Sequence, residues 1–331
     1  MSISTSTVYA VMLTLSAQGG TVFFSVINDQ TFGGNEINRV ESDGSGFEHV
    51  YENLGMPLGL TYDKGRGQLY WTDGYDTLHG SNRPTIWSSA VDGSGSMAVA
   101  ILPNYPGPTV PIIGDVTYDS LSDRIYWGDL DAYLGGVQVQ TRAYVGQVNA
   151  DGTGLGPAFT YQWGPGVLLG SDNMVAAGMG NFYHTGSLGR IFANGNVAAP
   201  LISNGAGTTF HAMELYEAGA GSKLFWIENQ TLFSAFTDGS GVTALLGGIN
   251  NGTDLDFDYD EDKVYWSDDR RSLDGTSQIR RANLDGSDEE VVYTINGGVN
   301  RIEGIAIVPE PSASLFALLG GLLISARRRR N

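Results

Sequence analysis

Short apolar runs recur along the chain in one fixed order, separated by turn residues, and no window of the body sustains a helical period. The first kind of run is apolar and often ends in an acid. It appears at Gly59-Leu60-Thr61-Tyr62-Asp63, Asp115-Val116-Thr117-Tyr118-Asp119, Met213-Glu214-Leu215-Tyr216-Glu217, Asp256-Phe257-Asp258-Tyr259-Asp260 and Glu303-Gly304-Ile305-Ala306-Ile307. A weak copy lies at Asn173-Met174-Val175-Ala176. The second marker is an aromatic pair, usually followed by an acid: Tyr70-Trp71-Thr72-Asp73, Tyr126-Trp127-Gly128-Asp129, Phe225-Trp226-Ile227-Glu228 and Tyr265-Trp266-Ser267-Asp268. Weaker copies are Phe23-Phe24-Ser25-Val26 and Phe182-Tyr183-His184. The third is an Asp-Gly turn at Asp43-Gly44, Asp92-Gly93, Asp151-Gly152, Asp238-Gly239 and Asp285-Gly286, degraded to Asn194-Gly195-Asn196 in the fourth copy. Each repeat therefore predicts four short antiparallel strands. Strand A carries the first marker and strand B the aromatic pair; strand C runs into the Asp-Gly turn and strand D leaves it.

Counted this way the markers occur six times, at spacings of roughly 40 to 56 residues, which is the repeat range of propellers. The expected fold is all-β, a six-bladed β-propeller over residues 21–308, with a single hydrophobic helix at the C-terminus. The chain enters on a B-type strand and ends on an A-type strand, so the last blade is expected to be closed by both termini. The 47 glycines fit this turn-rich reading, and the absence of cysteine excludes disulfides and thiolate metal sites. Apart from Arg327–Arg330 the body carries 14 basic against 36 acidic side chains, so nucleic acid is excluded as a partner.

The strings QLYWTD, RIYWGD and KVYWSD, each after an A strand and before an Asp-Gly turn, resemble the YWTD repeats of low-density-lipoprotein-receptor propellers. That resemblance covers residues 21–308 and implies a propeller used for binding. At the C-terminus, Pro309-Glu310-Pro311 precedes the apolar stretch 312–326 and then Arg327–Arg330. Proline-bracketed acid, short span and basic end, in that order, resemble the PEP-CTERM sorting signal. The resemblance implies export in a Gram-negative-type bacterium, recognition by an exosortase-type enzyme, and only transient residence of residues 312–326 in the inner membrane. The arginines are expected to stay cytoplasmic and the propeller outside. Residues 309–331 thus form a sorting or anchor tail. Residues 1–20 are a candidate signal peptide, with an apolar core at Val8–Leu15 and a small-residue cleavage site at Ala17-Gln18-Gly19.

Candidate chemistry is sparse. His49, His79, His184 and His211 fall in different repeats without paired ligand spacing, and no nucleophile elbow, phosphate loop or dinucleotide fingerprint occurs. No cofactor is expected. Asp254, Asp256 and Asp258, in the densest acidic run, are weak candidates for calcium ligands, because Tyr259 and Tyr265 stand where an EF-hand needs glycine and glutamate. The aromatic pairs read as packing between blades rather than ligand contacts. Strand parity puts the A–B and C–D turns at one end of the ring and the B–C and D–A connections at the other. The second set is the longer, and loops elaborated on a rigid scaffold tend to carry function. A binding face with Tyr75, His79, Arg83, Tyr105, Tyr133, Trp163, Arg270 and Arg271 is therefore expected there. The overall expectation is a non-enzymatic, exported surface or extracellular-matrix protein binding an extracellular polysaccharide or surface protein. The alternative is an exported propeller enzyme of the metal-dependent lactonase or polysaccharide lyase type.

Overall fold

A computed structural model describes residues 19–28, 30, 35–74, 83–102, 112–130, 133–134, 137–138, 142–162, 175–178, 181–184, 189–192 and 210–309. The chain folds as β1 (Thr21–Asn28), β2 (Asn35–Glu41) and β3 (Glu48–Leu54), then β4 (Pro57–Asp63), β5 (Gln68–Asp73), β6 (Thr85–Ala90) and β7 (Met97–Ile101). Next come β8 (Ile112–Asp119), β9 (Arg124–Leu130), the short pair β10 (Tyr133–Leu134) and β11 (Val137–Gln138), β12 (Arg142–Asn149) and β13 (Gly156–Gln162). Three short strands follow, β14 (Val175–Gly178), β15 (Asn181–His184) and β16 (Gly189–Phe192). Then come β17 (Phe210–Tyr216), β18 (Lys223–Glu228), β19 (Thr231–Phe236), β20 (Thr243–Gly247), β21 (Leu255–Asp258), β22 (Lys263–Arg270), β23 (Thr276–Asn283), β24 (Glu290–Asn296) and β25 (Asn300–Val308).

These strands make five four-stranded blades, not six. The first is β25-β1-β2-β3, the second β4 to β7, the third β8-β9-β12-β13, the fourth β17 to β20 and the fifth β21 to β24. The repeat expected to give another blade yields the three-stranded sheet β14-β15-β16, which touches β8 on one side and β17 on the other. The physical reason is legible in its markers. Phe182-Tyr183-His184 lacks the tryptophan and the acid, and Asn194-Gly195-Asn196 replaces the Asp-Gly turn that elsewhere launches strand D. The expected C-terminal helix lies outside the described residues. The described chain ends at Pro309, its one helix is the three-residue 3-10 turn Gly219–Gly221, and no described helix is long and apolar enough to cross a membrane.

Both faces of a blade are covered by its neighbours, so B strands are buried almost continuously rather than alternately. Trp71, Trp127, Trp226 and Trp266 are all under 2% exposed, and with Tyr70, Tyr265 and Phe225 they fill the spaces between blades. Four apolar clusters result. They lie between the fifth and first blades around Phe24 and Tyr265, and between the first and second around Phe23 and Trp71. The others lie between the second and third around Tyr70 and Trp127, and between the fourth and fifth around Phe225 and Trp266. In the first blade β25 pairs antiparallel with β1, with Ile307 opposite Val22, so the two ends of the propeller hold one sheet.

The third residue of the aromatic motif joins neighbouring blades. At the A–B pairing of the first and second blades the register slips, between Phe24 and Val26 and between Pro57 and Leu60. Such a bulge leaves a backbone N–H without a ladder partner. Gly304 N–H donates to Ser25 Oγ at 2.8 Å, and Ser25 Oγ donates to Leu58 O of the next blade at 2.8 Å. In the second blade Gly59 N–H donates to Thr72 Oγ1 at 3.1 Å, and Thr72 Oγ1 donates to Gly114 O of the third at 3.0 Å. In the fifth, Thr253 N–H donates to Ser267 Oγ at 2.8 Å while Thr253 Oγ1 donates to Ile302 O of the first blade at 2.9 Å. Glycine is needed at Gly304 because a Cβ there would come 2.2 Å from Leu58 O, inside any tolerable contact. The fourth residue ties down the connection leading into its own blade. Asp73 accepts from Met56 N–H at 2.6 Å and Asp268 from Asn250 N–H at 2.7 Å, whereas Glu228, one carbon longer, accepts from its own Trp226 Nε1 at 3.2 Å.

The Asp-Gly turns work between blades as well. Gly44, at φ 81°, lies so close to the fifth blade's outer strand that a Cβ would stand 2.1 Å from Val292 O. Only glycine meets both the left-handed backbone and that approach.

Thr72→Val keeps the volume but leaves Gly59 N–H and Gly114 O unpaired in the interior. Urea unfolding is expected to show a loss of about 1–3 kcal/mol. Ser96→Ala, at an exposed turn, is expected to stay within about 0.5 kcal/mol.

Candidate functional site at the acidic end of the channel

The end of the ring chosen from loop length is only partly described. Tyr75, His79, Tyr105 and Trp163 lie outside the described residues, and Tyr133 is described only as backbone of β10. The three arginines are engaged within the fold. Arg83 Nε donates to Leu102 O at 2.8 Å. Arg270 pairs with Asp274 at 3.0 Å and with Asp268 at 3.5 Å. Arg271 grips Asp269 through Nε at 2.8 Å and Nη2 at 2.9 Å, and donates to Val299 O at 3.3 Å. This grip holds the Asp269 carboxyl below its ordinary range against the opposing effect of burial, the largest single influence. These arginines brace the connections of the fifth and second blades.

The described cavity opens at the other end, where the A–B turns lie. It has a volume of about 170 Å³, and its lining includes Tyr62, Tyr118 and Tyr259 with one cation, Lys64. Six carboxyl residues face it: Asp115, Asp119, Glu214, Glu217, Asp254 and Asp256. Inner strands supply them because each A strand runs from its connection down the channel to its A–B turn, and the turns carry Lys64, Ser120 and Glu217 to the mouth. Strand parity puts this cavity at the end of the short A–B turns, opposite the longer loops named from the sequence. The signal that could have found this one is the acid closing the first marker of nearly every repeat.

The inner carboxyls are also structural acceptors. Asp254 accepts from Leu255 N–H at 2.8 Å and from Ile305 N–H of the first blade at 2.7 Å. Asp256 accepts from Phe257 N–H and from Ile307 N–H of the first blade, both at 2.7 Å. Asp258 turns to Gly20 N–H at 3.2 Å and to the A–B turn amides of Asp260 and Glu261 at 2.9 and 3.1 Å. The weak calcium candidates Asp254, Asp256 and Asp258 are thus spent on backbone amides of three different segments, and they are not gathered as a ligand set. Burial dominates the protonation of Asp254 and Asp256. It pushes Asp256 up to about 7 against its two amide bonds. Asp115, Asp254 and Glu214 are likewise raised by burial first, and Coulombic repulsion between neighbouring carboxylates adds to it.

Around the mouth stand the five Asp-Gly turns, brought to the same end by strand parity. Asp43, Asp92, Asp151, Asp238 and Asp285 are all exposed. Each accepts from the backbone N–H two residues on, at Ser45, Ser94, Thr153, Ser240 and Ser287, every time at 2.9 Å. Side-chain bonds from Ser45, Ser94, Thr153 and Ser287 lower the carboxyls of Asp43, Asp92, Asp151 and Asp285, so these four are ionised at neutral pH. Cross-blade ties make this end rigid. Arg66 of the second blade reaches Asp123 of the third, and Tyr216 of the fourth donates to Asp262 of the fifth at 2.7 Å. Tyr216 also stacks on Tyr259, with centroids 5.0 Å apart.

No family profile matches the chain. Among solved structures it is similar to a chain in the crystal structure of a nidogen/laminin complex, with a TM-score of 0.60 and 15% identity over 87% of this chain and 98% of that one. It is also similar to TolB from Acinetobacter baumannii, with a TM-score of 0.58 and 11% identity over 86% of this chain and 67% of that one. At these identities the likeness shows the propeller fold.

Asp115, Glu214, Glu217, Asp254 and Asp256 have folded pKa values above their ordinary unfolded values. The folded state therefore binds the extra protons, and the stability they contribute is full below about pH 4 and lost as pH rises toward 7 and beyond. Groups with lowered values, such as Asp123 and Asp269, have already given their contribution by pH 5. Unfolding free energy measured in urea is expected to fall between pH 5 and pH 8. Asp115→Asn, which keeps the acceptor for Val116 N–H at 2.8 Å, is expected to flatten that slope. An unchanged slope in the variant would remove Asp115 from the effect.

Proposed function

We propose that the chain is an exported, surface-sorted propeller acting as a non-catalytic binding module, and that its acidic end takes a basic segment of a protein partner. The observation that carries this reading is five exposed turn aspartates, four of them held ionised, at the same end as the cavity. Such an arrangement attracts cationic groups and repels phosphates and acidic polysaccharides. Tyr62, Tyr118 and Tyr259 at the cavity add aromatic surface suited to lysine or arginine. One structural neighbour is a chain of a complex between proteins, nidogen with laminin, which supports a protein partner over a small substrate. Export and exosortase-type sorting rest on Pro309-Glu310-Pro311, the apolar residues 312–326 and Arg327–Arg330.

The enzymatic alternative draws on Asp256, whose value near 7 would suit proton transfer. Its two oxygens are occupied by backbone amides, which speaks for a structural role.

The test uses the full chain and two fluorescent peptides, one lysine- and arginine-rich, the other glutamate-rich. Anisotropy is expected to show binding of the basic peptide alone, weakening as salt is raised. In the combined variant Asp92→Asn, Asp151→Asn and Asp238→Asn, asparagine keeps each turn acceptor but removes its charge. Affinity is expected to fall about tenfold. Asp274→Asn, at the opposite end, is expected to leave it unchanged. Equal binding of both peptides, or no effect of the three turn changes, sinks the proposal.

A further inference from the structure

The outer hairpin of the first blade carries a cluster that the binding face does not use. On β2, Glu36 and Asn38 lie on the face opposite Ile37, which is fully buried. On β3 the register slips twice. Asn38 pairs with His49 but Ile37 pairs with Tyr51, and Asn35 pairs with Leu54. Residue Val50 is thus an extra one in β3, and a second falls between Tyr51 and Leu54, where Asn53 takes φ 60°. Regular alternation would put His49 and Glu52 on opposite faces, being three residues apart. The bulge at Val50 brings them to the same face, beside Glu36 and Asn38.

Glu36, His49 and Glu52 then each offer a ligand atom, all within 4.8 Å of one another. His49 Nδ1 stands 3.2 Å from Glu36 Oε2. A tetrahedral zinc ion with bonds of about 2.0–2.1 Å needs its ligand atoms about 3.3 Å apart, so this edge needs almost no movement. Asn38 Oδ1 lies 2.8 Å from the same ring nitrogen, and Asn38 Nδ2 donates to Glu36 Oε2 at 3.2 Å. Without metal, His49 Nδ1–H donates to Asn38 Oδ1, so zinc bound through this nitrogen would displace that proton and that bond, while Asn38 Nδ2 continues to hold Glu36. The Phe47 ring meets the imidazole edge-on at 4.8 Å and restricts its rotation.

From this geometry we infer that Glu36, His49 and Glu52 form a zinc site on the rim of the first blade, with solvent as the remaining ligand. One imidazole with two carboxylates suits zinc better than calcium, which takes six to eight oxygens. The ion would clamp β2 to β3, the outer strands of the blade that also joins the two ends of the propeller.

The test is a titration of chelator-treated full chain with zinc chloride against a chromogenic competitor, alongside melting curves. Wild type is expected to bind one zinc per chain and to melt at higher temperature with the metal present. His49→Ala and Glu52→Gln change partly or fully exposed side chains, so both are expected to fold, with unchanged far-ultraviolet circular dichroism. Each is expected to weaken zinc at least tenfold and to lose the shift in melting. Because His79, His184 and His211 remain in both variants, zinc bound elsewhere would survive. The inference is overturned if wild type binds no zinc, or if Glu52→Gln binds it as tightly as wild type. Displacement of zinc by equimolar calcium would overturn it too.

Discussion

Each blade's innermost strand has an unpaired edge, and satisfying that edge is the constraint on which the propeller depends. An A strand has a ladder partner on one side only, and its other backbone groups lie beside the next blade, sheltered from water. Buried amides and carbonyls without partners would cost more than the packing between blades could offset. The hydroxyls of Ser25 and Thr72 answer this by accepting from their own inner strand and donating to the neighbour's. Asp254 and Asp256 answer it from the other side, accepting Ile305 and Ile307 N–H across the join between the fifth and first blades. The tryptophans supply apolar area, but these bonds set the distance and register at which that area is buried.

This solution lines the channel with acids. Carboxylates serve as acceptors for edge amides, and the price is a cluster of acids whose protonation burial and mutual repulsion both favour. The acidity of the mouth has a separate origin in local turn chemistry, since an aspartate capping its own turn must stay exposed and is held ionised by it. Both origins place acids at one end because the A–B and C–D turns share it by strand parity, and the turn aspartates supply its negative charge. The acidic face is thus a consequence of how the repeat is built, and a basic partner would exploit what the fold already provides.

The order of the three markers made most of the architecture legible: the strand types, their antiparallel sense, and the pairing of the last strand with the first. The number of full blades was not. Phe182-Tyr183-His184 kept enough aromatic character to be counted, while the missing tryptophan, acid and Asp-Gly turn mattered more to the sheet that formed. The site was legible only in part. Loop length pointed to one end, yet Arg270 and Arg271 there are taken up by Asp274, Asp268 and Asp269 within their own blade. The run from Asp254 to Asp258 looked like a ligand string because sequence shows spacing along one strand. What it cannot show is the neighbouring strand whose amides those oxygens meet. His49 and Glu52 were missed for a related reason, since the bulges that bring them together arise from pairing and leave no periodic trace.

The third position of the aromatic motif shows how far the repeat is truly repeated. A hydroxyl stands there in the first, second and fifth blades, at Ser25, Thr72 and Ser267. The third and fourth blades carry Gly128 and Ile227 instead, and these two blades flank the three-stranded sheet. Hydroxyl bridges therefore run from the fifth blade through the first and second to the third, across the region where the ends of the chain are joined. Between the fourth and fifth blades the bond from Tyr216 to Asp262 and the tyrosine stack take over at the turns. The strongest stitching thus lies where a circular fold is weakest against fraying, at its closure. The departures from the motif gather on the far side, at the two blades that flank the three-stranded sheet. The ring holds the bridge at some joins and not at others, so the aromatic pair recurs in every copy while the residue after it varies.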